Sequence, residues 1–424
     1  MLPGEALVLS GAVGADGVRV DVECSGGVIS SVRRDGVPSR ARLPEASTAQ
    51  GRRYVDLTGM VLVPALVEPH AHIDKSYTAD LYPNRTGDLD GAITSSLAVF
   101  EHSTAREIAC RARRALSAFA ARGCLSVRTH VAIGRAMGLR AMEGVLDAVA
   151  QMSGFMDVQI VAHISPPIYG PEGRDNLAML RDALAMGATH VGGTPYRAPD
   201  PVAETHACLE EAARAGTGVD LHTDETLDRG TLTVRDLAQA VAKSAFPHPV
   251  TASHCVSLGV QEVPVQDAVA EEISAAGVTV VTLPQTNLYL QARAVRSAPP
   301  RGLTALSALR GAGVMVAAGG DNVQDAFNPM GKGDPLEAAN LLVTAGHMDV
   351  GEAFEAVTRS ARAVCGLPPV ELATGCGADL VALPASNLRE AIAEAPGSRV
   401  VVRRGRLVDT EAFRTAHAFA TAGV

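Results

Sequence analysis

The chain contains no tryptophan, and aromatic residues make up only 3% of its 424 residues. Net charge is −9 and no long basic run occurs. Phosphate-backbone binding needs clustered Lys and Arg, so nucleic acid is excluded as the main partner. Lysine is scarce, with Lys75, Lys243 and Lys332 making up the whole set. Seven cysteines are scattered without a CxxC pair, and their number is odd. That pattern argues against a disulfide framework or a zinc knuckle, and points to reduced thiols and a cytoplasmic protein. The N-terminus lacks a basic stretch followed by an apolar core, so no secretory signal is expected. The longest apolar runs, such as Met60–Val67, are too short to span a bilayer and suit buried strands.

What is present has two rhythms. Near the N-terminus, Ala6–Leu9, Val18–Val22 and Val28–Val32 read as strands separated by Gly and Asp turns. Ala378–Leu383, Val400–Arg403 and Arg406–Val408 read the same way near the C-terminus. Both ends are expected to build one small β-sandwich domain, over residues 1–60 and 366–424. Between them, short apolar strands recur about every thirty residues among Ala-rich helical stretches. Eight are expected: Val61–Val67, Cys124–His130, Val158–His163, Ala188–Gly193, Val219–His222, Val250–His254, Val278–Leu283 and Val314–Ala318. Helical stretches include Ala105–Ala121, Asn176–Met186 and Val202–Ala215. Eight strand–helix repeats imply an α/β fold, a parallel (β/α)8 TIM-type barrel over residues 61–365. An open doubly wound sheet is the alternative. The repeat number, and the lack of a glycine-rich dinucleotide loop after the first strand, favour the barrel.

Catalytic groups in such barrels sit where strands end at the C-terminal face. The first strand runs into Glu68-Pro69-His70-Ala71-His72. Two histidines at i, i+2 project to one side of an extended chain and can share a metal ion, although this pattern alone is unspecific. The fifth strand ends in His222-Thr223-Asp224-Glu225, the sixth in Ser253-His254-Cys255, and the eighth in Gly319-Gly320-Asp321-Asn322. Chance placement of all five of these residues, His70, His72, His222, His254 and Asp321, at those ends is improbable.

This order resembles the amidohydrolase superfamily, and within it the cytosine deaminase-like family. Val67–Asp74 (VEPHAHID), Val127–Val131 (VRTHV), His222–Glu225 (HTDE), Val250–His254 (VTASH), Asn287–Arg293 (NLYLQAR) and Arg301–Thr304 (RGLT) carry the resemblance. It runs from about residue 60 to 345, and more loosely through the β-rich ends. It implies that His70, His72, His222 and Asp321 hold one divalent ion, zinc or iron, that activates water. Binuclear relatives place a carboxylated lysine after the fourth strand. Here that segment is Val191-Gly192-Gly193-Thr194, so one ion is expected. The resemblance makes Glu225 the proton carrier to a ring nitrogen of the substrate, His254 the partner of the activated water, and Asp321 both ligand and proton acceptor. A helix-start carboxylate is the bland alternative for Glu225. Asp224 is expected only to position its neighbour. His130 and His163 close the second and third strands at the barrel mouth. His102, His190, His206, His248, His347 and His417 are read as surface or helix residues. Cys255 has no base partner that would make it a nucleophile.

Two departures from cytosine deaminase fall around the substrate. Ser165 stands where that family has a glutamine gripping the pyrimidine amide edge, and a hydroxyl cannot supply the same paired donor and acceptor. Asn322 replaces a second aspartate, and Phe327 aligns with a tryptophan. Ser165, Asn322, His163, Phe327 and Lys75 are therefore the expected substrate contacts, Lys75 meeting an anionic group. The stretch Asp321–Glu337 is similar to the broader group that includes aminotriazine enzymes. The leading expectation is hydrolytic deamination of a small heterocyclic amidine or guanidine. Ring opening of a cyclic amide, as in hydantoinases, is the second reading; the missing lysine and the HxDE pattern oppose it. A non-catalytic binding protein is the third, opposed by the intact ligand set. Relatives tend to oligomerise, so a homo-oligomer is an expectation resting on the resemblance alone.

Overall fold

The computed structural model describes residues 6–34, 48–49 and 52–413. Six strands come first: β1 (Ala6–Val13), β2 (Arg19–Ser25), β3 (Val28–Arg34), β4 (Thr48–Ala49), β5 (Arg52–Asp56) and β6 (Val61–Pro64). Eight follow in the middle: β7 (Leu66–Ala71), β8 (Cys124–Ile133), β9 (Asp157–Ile164), β10 (His190–Gly193), β11 (Gly218–Thr223), β12 (Val250–His254), β13 (Thr279–Thr282) and β14 (Val316–Ala318). The chain closes with β15 (Leu380–Leu383), β16 (Val400–Arg403) and β17 (Arg406–Leu407).

Strands β7 to β14 hydrogen-bond in sequence order, every neighbour parallel. The ring is sealed by a parallel bridge between Ala71 and Asp321. There the Asp321 N–H donates to the His70 carbonyl at 3.1 Å, and the His72 N–H to the Asp321 carbonyl at 2.9 Å. This is the expected TIM-type barrel. Helices cover its outside, and each has a local cause. The helix Ala105–Ala121 opens with a capping box between Thr104 and Glu107, and it buries Ile108, Ala112, Leu116 and Phe119 along one stripe. The helix Pro201–Ala215 starts on an Asp200 cap with proline in its first turn.

The terminal strands form the second sheet, ordered β17-β16-β15-β6-β1-β2-β3, with β5 also on β1. A bulge at Gly11, where φ is +80°, breaks the register of β1. Before it, β1 pairs with β5; after it, Val13 pairs with Val61 of β6. The sheet thus divides into two leaves, and their facing sides share one core containing Leu7, Leu9, Val22, Leu62, Leu380 and Val402. The alternate residues Val61, Val63, Val381, Leu383 and Val401 belong to the barrel's core. Period-two alternation therefore makes these strands apolar on both sides.

That double burial explains one difference from the sequence expectation. Val61–Val67, read as one barrel strand, is two strands joined at Ala65. Val61–Pro64 pairs antiparallel with β15 in the terminal sheet, and only Leu66 onward enters the barrel. His190, read as a surface or helix residue, is buried at the start of β10, bonded to Thr189 Oγ1 at 2.9 Å.

Glu68 braces the barrel seam. Its carboxylate accepts from the His70 N–H at 3.1 Å and the Gly320 N–H at 2.9 Å. A Cβ on Gly319 would lie 2.3 Å from Glu68 Oε1. Gly319→Ala should therefore lower stability by about 1–3 kcal/mol through overpacking. A thermal or denaturant midpoint unchanged from the parent would contradict this account of the seam.

Candidate active site

The strand ends at the barrel mouth bring His70, His72, His130, His163, His222, His254 and Asp321 together. His72 and His222 approach at 3.1 Å between Nε2 atoms. Asp321 Oδ1 lies 3.4 Å from His72 Nε2 and 3.6 Å from His70 Nε2. Candidate ligand atoms of His70, His72 and Asp321 all lie within 4.8 Å of one another, and so do those of His70, His222 and His254. Non-glycine residues at positive φ mark the rim: Asp224 (54°), His254 (71°), Cys255 (50°) and Asp321 (63°). Such backbone is costly and persists where the fold aims a side chain.

A relay beneath the cluster fixes one tautomer. The Ser253 hydroxyl donates to Asp220 Oδ1 at 2.9 Å, so its oxygen is left to accept from His70 Nδ1 at 2.9 Å. Asp220 is held in turn by Arg128, whose Nη1 donates to Oδ2 at 2.9 Å. His70 therefore carries its proton on Nδ1, and its Nε2 lone pair faces Asp321, buried and without a hydrogen-bond partner. His254 follows the same logic: Nδ1 meets Asn287 Oδ1 at 3.0 Å, leaving Nε2 unpartnered 4.0 Å from Asp321 Oδ2.

Burial keeps His70, His72, His222 and His254 below their ordinary pKa, hence neutral. The same burial pushes Asp321 up to about 7. Neutral imidazoles around a carboxylate short of positive charge, with Nε2 of His70 and Oδ1 of Asp321 orphaned, fit a divalent cation.

Glu225 and Asp224 divide the two roles that the sequence left open. Asp224 caps the helix Thr233–Ser244, accepting from the N–H groups of Thr233 at 2.8 Å and Val234 at 3.0 Å. Glu225 instead lines the central cavity, 3.7 Å from His254 Nδ1, with Oε1 buried and unpartnered. Burial raises its pKa to about 8; Lys75, Arg197 and a hydrogen bond from Tyr196 oppose the rise.

The cavity, about 320 Å³, is also lined by His72, Lys75, His163, Ser165, His222, His254, Asp321, Asn322 and Phe327. The geometry thus gathers every expected site residue, with His70 directly beneath. Lys75 is buried, its ammonium 4.6 Å above the Phe327 ring, and it forms no ion pair among the described residues. His163 touches Thr194 Oγ1 at 3.3 Å through Nε2 and leaves Nδ1 unpartnered. The Asn322 amide is engaged: it donates to Asp325 of its own loop at 2.7 Å and accepts from Thr286 of the helix Pro284–Leu290 at 3.3 Å. Sequence reading did not single out Ser253, Asp220, Arg128, Asn287 or Tyr196. Ser253, Asn287 and Arg128 lie inside the VTASH, NLYLQAR and VRTHV stretches, which was the available signal.

A family model for the amidohydrolase family matches residues 92–409. The chain belongs to the amidohydrolase family. Among curated proteins it is 30% identical over 374 residues to a pterin deaminase of Rhizobium rhizogenes, covering 87% of this chain and 85% of that protein. Among solved structures it resembles 5-methylcytosine deaminase from Klebsiella pneumoniae liganded with 5-fluorocytosine. The TM-score is 0.85 and the identity 25%, over 95% of this chain and 97% of the other. It is also similar to N-isopropylammelide isopropylaminohydrolase from Burkholderia multivorans, with a TM-score of 0.79 and 29% identity over 95% and 98% of the two chains. The cytosine deaminase-like resemblance read from the motifs is borne out at the level of this amidohydrolase group.

If the Asp220–Ser253 relay orients His70, Ser253→Ala should weaken metal retention about 10–100-fold. Competition against a chelator measures this, and retention equal to the parent would contradict the relay.

Proposed function

We propose that this amidohydrolase is a deaminase that removes an exocyclic amino group from a small nitrogen heterocycle as ammonia. The observation that carries the proposal is the placement of Glu225: a buried carboxyl with a raised pKa, beside His254, in the same cavity as the His–Asp cluster. We assign one divalent ion to His70, His72, His222 and Asp321, and its borderline N/O ligand set suits zinc or ferrous iron. When bound, such an ion supplies water activated at neutral pH.

This chain's residues do the rest. Glu225 holds a proton at neutral pH and delivers it to a ring nitrogen, making the adjacent amino-bearing carbon electrophilic. His254, neutral with Nε2 unprotonated, takes and orients a water proton beside Asp321. Water adds to the carbon, the proton held by His254 passes to the amino group, the carbon–nitrogen bond breaks and ammonia leaves, and the added hydroxyl returns its proton to Glu225 as the ring carbonyl forms. Lys75, buried and in no direct ion pair among the described residues, donates to an electron-rich oxygen of the ring. His163 and Ser165 supply further polar contacts. Asn322 acts through the Asp325 loop, because its amide is already occupied.

The pterin deaminase relative supports an amino-substituted pteridine as substrate, and the likeness to 5-methylcytosine deaminase an aminopyrimidine. The seven free cysteines fit a reducing compartment, and we place the protein in the cytoplasm. Among the described residues no helix is long and apolar enough to cross a membrane.

Glu225→Gln should lower ammonia release by at least the roughly 10²–10⁴-fold typical of a lost acid–base group, with metal content unchanged. Full activity in this variant would refute the assignment. The protonated carboxyl is the donor, and its pKa is raised, so activity should decline as pH climbs through about 8. A pH–rate profile flat across that range would contradict the role.

A further inference from the structure

The polar groups of the cavity do not account for its whole wall. The helix Leu89–His102 presents Leu89, Ile93, Ser96, Leu97 and Phe100 to the same cavity, and Met137 joins them from the loop after β8. Positions 89, 93, 96/97 and 100 fall on one helix face, at i, i+4, i+7/8 and i+11. The residues this helix buries are Ala92, Val99 and Phe100. Leu89 and Ile93 remain half-buried, and Leu97 is 45% exposed. Three aliphatic side chains thus keep apolar surface open to the cavity, a state that a ligand relieves by covering it.

The wall is also held in place. Asp88 caps the helix, accepting from the Gly91 N–H at 2.9 Å. Arg140 Nη2 donates to the Phe100 carbonyl at 2.9 Å, and Arg197 reaches Asp90 at 3.2 Å from the loop after β10. Ser96 is the one polar side chain this face gives the cavity, so it offers little that a heterocycle's ring nitrogens or carbonyl could use.

We propose that this face is a subsite for an apolar substituent, alkyl or aryl, carried by the heterocycle that the His–Asp end of the cavity deaminates. The inference rests on the deaminase reading and names the substrate class more narrowly. The ring's amino-bearing edge goes to Glu225, His254 and Asp321, its electron-rich oxygen to Lys75, and its substituent to Leu89, Ile93 and Leu97. Leu97, exposed as well as lining the cavity, is where a longer substituent would meet solvent.

The probes are 2-aminopteridin-4-one and its methyl, ethyl and propyl derivatives at carbon 6 and at carbon 7, with metal-loaded enzyme. In one of the two series, kcat/KM should rise by about fourfold per methylene buried. Ile93→Asn and Leu97→Ser should reduce that increment towards one, read as the ratio of propyl to methyl substrate within each variant. Leu97 is exposed, so its variant guards against a folding defect at Ile93. Flat or falling values in both series would overturn the subsite, as would a rise that both variants leave intact. Calorimetric affinities for the same compounds separate this outcome from failure of the deaminase reading. If affinity climbs with chain length while no ammonia is released, the activity falls and the subsite stands. If ammonia is released while neither kcat/KM nor affinity responds, the subsite alone falls.

Discussion

A buried imidazole can offer a lone pair to a cation only when its other nitrogen has somewhere to place its proton. In this barrel that condition is met beneath the cluster. Arg128 holds Asp220, Asp220 takes the Ser253 proton, and Ser253 accepts from His70 Nδ1. The chain runs across three strands, β8, β11 and β12, and ends on the first. Each link removes a degree of freedom from the ring above it, so His70 Nε2 meets Asp321 unprotonated. His254 gains the same property from Asn287. Without these partners, burial alone would keep the rings neutral but would leave their tautomers unassigned.

The closure of the barrel serves the same end. The seam between β7 and β14 consists of backbone hydrogen bonds made by His70, His72 and Asp321 themselves. The candidate ligands are thus also the residues that join the first strand to the last. Asp321 takes a left-handed backbone there, and Glu68 and two glycines fill the space beside it. Stability and function compete at such a place: positive φ and buried carboxylates cost free energy that the surrounding ladders must offset. The surrounding strands are buried on both faces, as in a doubly covered parallel sheet, with most of their polar residues gathered on the inner face.

Much of this was legible in the sequence, for a physical reason. Parallel strands buried on both faces read as short apolar runs, and a polar residue ending such a run is conspicuous. His70, His72, His222, His254 and Asp321 were visible on that basis, and the (β/α)8 fold with them. The break at Ala65 was not visible, because Val61–Pro64 is buried between two cores and looks like any barrel strand. That Asp224 caps the helix Thr233–Ser244 was also hidden. Asp224 and Glu225 are adjacent carboxylates before a helix, and only the fold shows which one caps it. The relay was hidden because serine and aspartate inside a strand carry no periodic signal. Leu89–His102 was not assigned an element, although it supplies the apolar wall of the cavity.

The central claim is that four side chains from three separated strand ends converge on one divalent cation. Anomalous diffraction at the zinc and iron edges, from crystals of protein purified without added chelator, tests it most directly. The account predicts a single peak per chain, within about 2.0–2.2 Å of nitrogens from His70, His72 and His222 and of an Asp321 oxygen. No peak at the barrel mouth, or a peak bound by a different set of side chains, would contradict it.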